Sequence, residues 1–264
     1  MASSREPNHH GASVYNSCTM LGWLAGVGLA SLAGAGYNAM APRSQLFGRT
    51  FIGHPGGSRQ LALTFDDGPN DPWTPRLLDV LARHEVRATF FLIGKYVVER
   101  PDITRQIAAA GHVIGNHTYS HPNLIFCSAS EVAGQIRQCS SALQDAVGEH
   151  SSLFRPPYGG RTPRVLSLVR QSGLECVMWR VSGYDWKATS STQIEERLSD
   201  AIEGGEVILL HDGGHRHLGV NREFTVSAVD RLITRYKSQG FEFVSVSRMM
   251  EARSPVSVQS ATRR

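Results

Sequence analysis

Two adjacent carboxylates, Asp66 and Asp67, stand between an apolar run and the turn-forming pair Gly68-Pro69. Like charges side by side at a strand end repel, so something must offset them. Separate duties would do so: one carboxylate binds a metal ion, and the other accepts a proton from the water that the ion activates. Further along, His117-Thr118-Tyr119-Ser120-His121 sets two imidazoles four positions apart, on one face wherever the segment makes a helical turn. Pro122 discourages His121 from continuing a helix and favours a single turn in a loop. Two histidines with one carboxylate make a catalytic zinc set that leaves a position open for water. An H-x-x-x-H alone is weak; the aspartate pair beside a neighbouring strand gives it meaning. His211 follows another apolar run and reads either as a general acid or as a hydrogen-bonded core histidine. His9, His10, His215 and His217 lie in polar stretches and read as solvated.

These residues need a scaffold that brings them together. From residue 60 onward, short apolar runs alternate with amphipathic segments. Strands are expected at 61–65, 88–93, 113–116, from 153, at 175–181, 207–210 and 241–246. Thr74-Pro75 and Thr162-Pro163 read as a cap followed by proline at the first helical position. Val132, Ile136, Cys139, Leu143 and Val147 give the clearest helical periodicity. Strand–helix alternation predicts parallel βαβ units, in an open doubly wound sheet or a closed barrel. Asp66 and Asp67, His117 and His121, Arg155 and Tyr158, Asp185 and Trp186, and His211 all fall at the C-terminal ends of these strands. In a parallel sheet those ends point the same way, where active sites are built. No strand is followed by a G-x-G-x-x-G turn or a P-loop, which argues against nucleotide binding.

The chain has 264 residues, 41% of them hydrophobic and 19% charged, an ordinary globular composition. Of its net charge of +4, half comes from Arg5, Arg43, Arg49 and Glu6, and the globular part has no dense basic cluster. A nucleic-acid partner is therefore not expected. Between Glu6 and Arg43 there is no charged residue of either sign, and Met20–Tyr37 is apolar and small. This stretch reads as a membrane anchor or a signal peptide ending at Ala39-Met40-Ala41, with Pro42 unfavourable to cleavage. A Gly/Ala-rich core helix is the third reading. The expected organisation is export segment 1–42, linker 43–57, catalytic domain 58–250 and polar tail 251–264. That predicts an extracytoplasmic protein, anchored or secreted. Cys18, Cys127, Cys139 and Cys176 show no zinc-site spacing, and Cys139 falls on an apolar helix face, so no disulfide is expected.

Thr64-Phe65-Asp66-Asp67-Gly68-Pro69, the His117–His121 motif, Arg155-Pro156-Pro157-Tyr158-Gly159, Asp185-Trp186 and Leu209-Leu210-His211 resemble, in order, the five motifs of the polysaccharide deacetylases, the carbohydrate esterases of family four. The resemblance covers about residues 58–250. It implies a distorted (β/α)7 barrel, here with an N-terminal hydrophobic helix, and one divalent metal, usually zinc, with cobalt and nickel as alternatives. It assigns the metal to Asp67, His117 and His121, general base to Asp66 and general acid to His211. Asp185 would hold His211 charged, and Arg155 would orient Asp66. The Tyr158 N–H would stabilise the oxyanion, and Trp186 and Leu209 would line the pocket for the acetyl methyl.

The implied reaction is removal of N-acetyl groups from a β-linked N-acetylglucosamine polymer or oligomer, chitin-like or peptidoglycan-like. An O-acetyl esterase acting on xylan or another glycan is the alternative, and a non-catalytic carbohydrate-binding barrel a third. The family's fourth motif often has further acidic residues before Asp-Trp, whereas this chain reads Trp179-Arg180-Val181-Ser182-Gly183-Tyr184. Substrate contacts at that loop are expected to differ.

Overall fold

A computed structural model describes residues 33–54, 56 and 58–252. Most of the apolar stretch 20–37, with His9, His10, Cys18 and the tail beyond 252, lies outside them. Residues 33–40 are helical. Among the described residues no helix is long and apolar enough to cross a membrane.

Strand β1 (Gln60–Gly68) is followed by α1 (Trp73–Arg83), β2 (Thr89–Leu92), α2 (Gly94–Glu99), α3 (Pro101–Ala109) and β3 (Val113–Asn116). Then come α4 (Ala129–Val147), β4 (Leu153–Phe154), α5 (Pro163–Gln171), β5 (Glu175–Cys176) and β6 (Val181–Ser182). The chain continues with α6 (Ser191–Ser199), β7 (Val207–His211), α7 (Glu223–Ser238), β8 (Glu242–Phe243) and α8 (Val246–Glu251). The strands pair in parallel in the order β5-β4-β3-β2-β1-β7-β6, with β8 beside the start of β1.

This order forces the sheet to curl. Laid flat, seven strands at roughly 4.8 Å spacing would hold β5 and β6 about 29 Å apart. Only residues 177–180 join them, and such a link reaches at most about 18 Å. The two edges must therefore approach each other, as the expected (β/α) barrel requires. Phe51 bridges to Val177 and Gly53 to Glu206, so residues read as linker lie across the closure.

Strand alternation sorts the core. Leu61, Leu63 and Phe65 of β1 pack with Leu77 and Leu81 of α1 and Val229 and Ile233 of α7. Ala62 faces the other way, with Phe91, Val177 and Val207. The predicted fifth strand is interrupted because its middle bonds elsewhere. Met178 N–H donates to Phe51 O, Arg180 N–H to Val207 O, and the Val177 and Met178 carbonyls accept from the Arg155 side chain. The last strand is shorter than read, since Ser245 accepts from Arg248 N–H and caps α8. Thr162 caps α5 as expected, whereas Thr74 lies inside α1 and its hydroxyl donates to the Asp212 carboxylate. Cys139 is a buried free thiol on α4.

Candidate metal centre and active site

Neighbouring residues of a regular strand point to opposite faces, so an ordinary β1 would separate Asp66 from Asp67. The end of β1 is irregular. Its register with β2 shifts between Asp66 and Gly68, and Asp67 adopts φ +71°. That left-handed conformation costs about 1–2 kcal/mol for a residue with a Cβ, and it turns both carboxylates into one site. Asp66 shares a face with Thr64. The fully buried Arg155 ties the two together, donating from Nη1 to Asp66 Oδ1 at 2.7 Å and to Thr64 Oγ1 at 2.8 Å. Its Nε and Nη2 donate to Val177 O and Met178 O, and its Cζ lies 4.2 Å from the centre of the Phe91 ring.

His117 follows β3, and its Nδ1 lies 2.8 Å from the Arg155 carbonyl. A carbonyl only accepts, so Nδ1 is the donor there and Nε2 is the ring atom turned towards the carboxylates. That atom faces Asp67 Oδ1 at 3.5 Å and Asp66 Oδ2 at 3.7 Å. His121 Nε2 lies 3.2 Å from the same Asp67 oxygen. The loop between the histidines is a tight turn, with left-handed backbone at Thr118 and His121. Asn116 Oδ1 accepts from Thr118 N–H, and Thr118 Oγ1 accepts from His121 N–H.

One donor atom each from Asp67, His117 and His121 lies within 4.8 Å of the others, and all three residues are buried. Among the described residues, Asp67 Oδ1 has no hydrogen-bond partner. Two ligand-type atoms, Asp67 Oδ1 and His117 Nε2, facing each other at 3.5 Å in a buried site fit a divalent cation. Burial pushes the Asp67 carboxyl up, but the surrounding imidazoles His117, His121 and His215 hold it well below the ordinary carboxylate range. Burial pushes His121 down, towards the neutral form a metal requires.

Across the pocket, Asp185 accepts from His211 Nδ1 at 2.8 Å, from His211 N–H at 2.8 Å and from Thr225 Oγ1 at 2.9 Å. Burial opposes charge on both partners. Attraction outweighs it, so the His211 pKa is raised and the Asp185 pKa lowered. Trp186 sets its ring edge-on to His211 at 5.0 Å. A cavity of about 490 Å³ joins these groups, walled by Tyr158, Trp186, Leu209, Trp179 and Pro42 among others. Tyr158 has φ +58° and joins Asp67, His121 and Tyr184 as left-handed residues on the cavity wall.

All ten residues singled out from the sequence thus meet around one cavity. Asp66, Asp67, His117, His121, Tyr158, Trp186, Leu209 and His211 line it, Arg155 bonds Asp66 from behind, and Asp185 bonds His211. His215 and His217, read as solvated, line it too, and His215 stacks on His121. The available signal was their position just after β7, at the same strand ends. Thr225 and Asp212 were also missed. Burial pushes the Asp212 carboxyl up to about 7. Asn70, also buried, donates to the Asp212 and Val220 carbonyls and accepts from Gly219 N–H, fixing the loop after β7.

Comparison with known proteins agrees with this arrangement. The polysaccharide deacetylase family matches residues 53–177. The chain is 38% identical over 197 residues to a peptidoglycan-N-acetylglucosamine deacetylase of Bacillus cereus, covering 75% of this chain and 70% of that one. It is 39% identical over 201 residues to a chitooligosaccharide deacetylase of a Bradyrhizobium strain, covering 74% and 92%. The crystal structure of a peptidoglycan N-acetylglucosamine deacetylase in complex with 4-naphthalen-1-yl-N-oxidanyl-benzamide superposes with TM-score 0.71 at 38% identity, covering 76% of this chain and 91% of that one.

Proposed function

The chain belongs to the polysaccharide deacetylase family, and from that premise we propose that it is a metal-dependent hydrolase removing N-acetyl groups from a β-linked N-acetylglucosamine-containing glycan. The observation that carries the reading is the division of labour between two neighbouring carboxylates. Asp66 is held by Arg155, while Asp67 faces two imidazoles. A divalent cation at Asp67, His117 and His121, with zinc the proposed ion and cobalt or nickel the alternatives, supplies positive charge that polarises the acetyl carbonyl and acidifies water.

The chain's own residues do the rest. Asp66 Oδ2, the oxygen left free by Arg155, accepts the proton of the attacking water. The Tyr158 N–H donates to the developing oxyanion, a contribution of roughly 3–4 kcal/mol in comparable sites. Charged His211, held through Nδ1 by Asp185, delivers a proton from Nε2 to the departing amine nitrogen. The carbon–nitrogen bond then breaks to release acetate and a free amino sugar. Leu209 and Trp186 wall the space for the acetyl methyl.

The test is acetate release from chitin oligomers, peptidoglycan fragments and acetylated xylan, before and after chelation. Release from the amide substrates, abolished by chelator and by Asp66→Asn in a folded protein, is expected. Release from acetylated xylan alone would move the assignment to an O-acetyl esterase, and no release from any would leave a binding barrel.

We also propose export, with residues 20–37 retained as an anchor. Support comes from the segment that follows them. Arg161 is fully buried, its N–H donates to Ala39 O, and its Nη2 donates to Ala41 O at 2.7 Å and Ser44 O at 2.6 Å. Arg43 donates to Arg180 O, and Pro42 lines the cavity. A cut after Ala41 would remove Ala41 O from the buried guanidinium and Ala39 O from the Arg161 main-chain N–H, which costs about 1–3 kcal/mol per unpaired group. N-terminal sequencing of the mature protein tests this; a chain starting at Pro42 refutes it.

A further inference from the structure

The two ligand histidines are not held in the same way. His117 donates from Nδ1 to a main-chain carbonyl, the usual device that fixes a ligand imidazole. Among the described residues, His121 has no such bond and its buried Nδ1 has no partner. Its ring is instead held among three others, and His117 meets it edge-on at 4.9 Å. His215 stacks on it with centroids 4.7 Å apart and planes inclined by 19°, and Tyr158 meets it edge-on at 4.6 Å. His215 also meets Tyr158 edge-on at 5.4 Å, so the rings form one cluster.

The loop that presents His215 is fixed on the metal centre. Gly213 packs so closely on β1 that a Cβ there would lie 2.1 Å from Asp67 O. Arg222 Nε donates to Gly213 O at 2.7 Å, and Lys95 Nζ donates to His215 O at 3.2 Å. Asn70 clamps the loop's two ends. A surface histidine passing by chance would need none of this.

We propose that His215 is a positioning residue of the metal centre: its ring, stacked on His121, orients the ligand imidazole that, among the described residues, has no hydrogen-bonded support. The proposal rests on the metal-centre reading above. His215 Nδ1 also lies 3.8 Å from Asp67 Oδ2, too far for a hydrogen bond; the proposed action is through the ring stacked on His121, so a phenyl ring should replace it.

The test uses the full chain as wild type, His215→Ala and His215→Phe, each stripped of metal and titrated with Co²⁺ against a chromophoric chelator. The visible Co²⁺ spectrum reads ligand geometry, and the melting temperature of each metal-free protein reads the fold. Removing a support of this kind weakens metal binding roughly 10–100-fold, and that loss with an altered spectrum is expected for His215→Ala. His215→Phe should bind within about threefold of wild type on the same scale. Wild-type affinity and spectrum in His215→Ala would overturn the proposal, as would a lowered metal-free melting temperature with an unchanged spectrum. His215→Phe as weak as His215→Ala would assign the effect to the ring nitrogen and overturn the stacking role. Failure of the wild type to bind Co²⁺ would refute the metal-centre reading itself.

Discussion

The general-acid assignment is most exposed to test at Asp185. In Asp185→Asn the amide oxygen can still accept from His211 N–H and Thr225 Oγ1, as Asp185 Oδ2 does. The amide NH2 then faces His211 Nδ1, which must turn from donor to acceptor. The imidazole proton moves to Nε2, and with the counter-charge gone, burial, which opposes the charged form, decides. Asp66 and Asp67 also favour charge on His211, but a bound cation offsets them, so Asp185 is the partner that counts. The variant holds a neutral His211, a poor acid.

General-acid catalysis contributes about 10²–10⁴-fold, so kcat should fall by about 10³, equivalent to ~4 kcal/mol. KM should change little, because His211 acts on the leaving group. The assay compares acetate release from an N-acetylglucosamine oligomer with hydrolysis of an aryl acetate, whose phenolate leaves without a proton. The aryl ester should lose at most about tenfold, well below the usual general-acid contribution. In the wild type the raised pKa of His211 keeps the acid charged at higher pH, and activity declines as pH rises through it. That basic limb should vanish in the variant. Retention of glycan activity within tenfold, or equal loss on both substrates, would refute the reasoning.

His112 is a pH sensor of stability remote from the chemistry. Its buried ring accepts from Ala88 N–H through Nδ1, and burial, then the nearby Arg87, lower its pKa to about 4. The unfolded chain takes up the proton near pH 6.5 and the folded one only near 4, so this residue withdraws stability as pH falls through that window, by roughly 3 kcal/mol in all. His112→Asn keeps an acceptor that does not titrate; urea denaturation at several pH values should show a flatter acid limb, and an unchanged slope would contradict the argument. Gly213→Ala places a methyl 2.1 Å from Asp67 O, which should destabilise the fold by about 1–3 kcal/mol and weaken metal binding; a chelator competition matching wild type would refute the close-packing argument. Arg161→Met leaves Gly159 O, Ala41 O and Ser44 O without their donor. It should cost at least about 2 kcal/mol and open residues 39–44 to limited proteolysis, and wild-type resistance would show that Arg161 does not hold them.

Alternation of apolar runs with periodic segments was enough to read a parallel strand–helix repeat, because buried parallel strands must be continuously apolar. The order of Asp66, Asp67, His117, His121, Arg155, Asp185 and His211 was enough to read metal-assisted hydrolysis, because parallel strands deliver their C-terminal ends to one face. The same logic could not read the break at 177–180, where main-chain groups bond to Arg155 and Phe51 across the closure. It also put His215 in solvent, since nothing local reports that Asn70 and Gly213 fasten its loop onto β1.

The sequence by itself determined which side chains are available and at which strand ends they stand. How two consecutive aspartates share one site was decided only by the tertiary structure. A regular strand turns neighbours to opposite faces, and only the irregular, left-handed end of β1, paired between β2 and β7, brings both carboxylates together. Which of them meets Arg155 and which meets the imidazoles follows from contacts between residues far apart in the chain, and no local pattern encodes those.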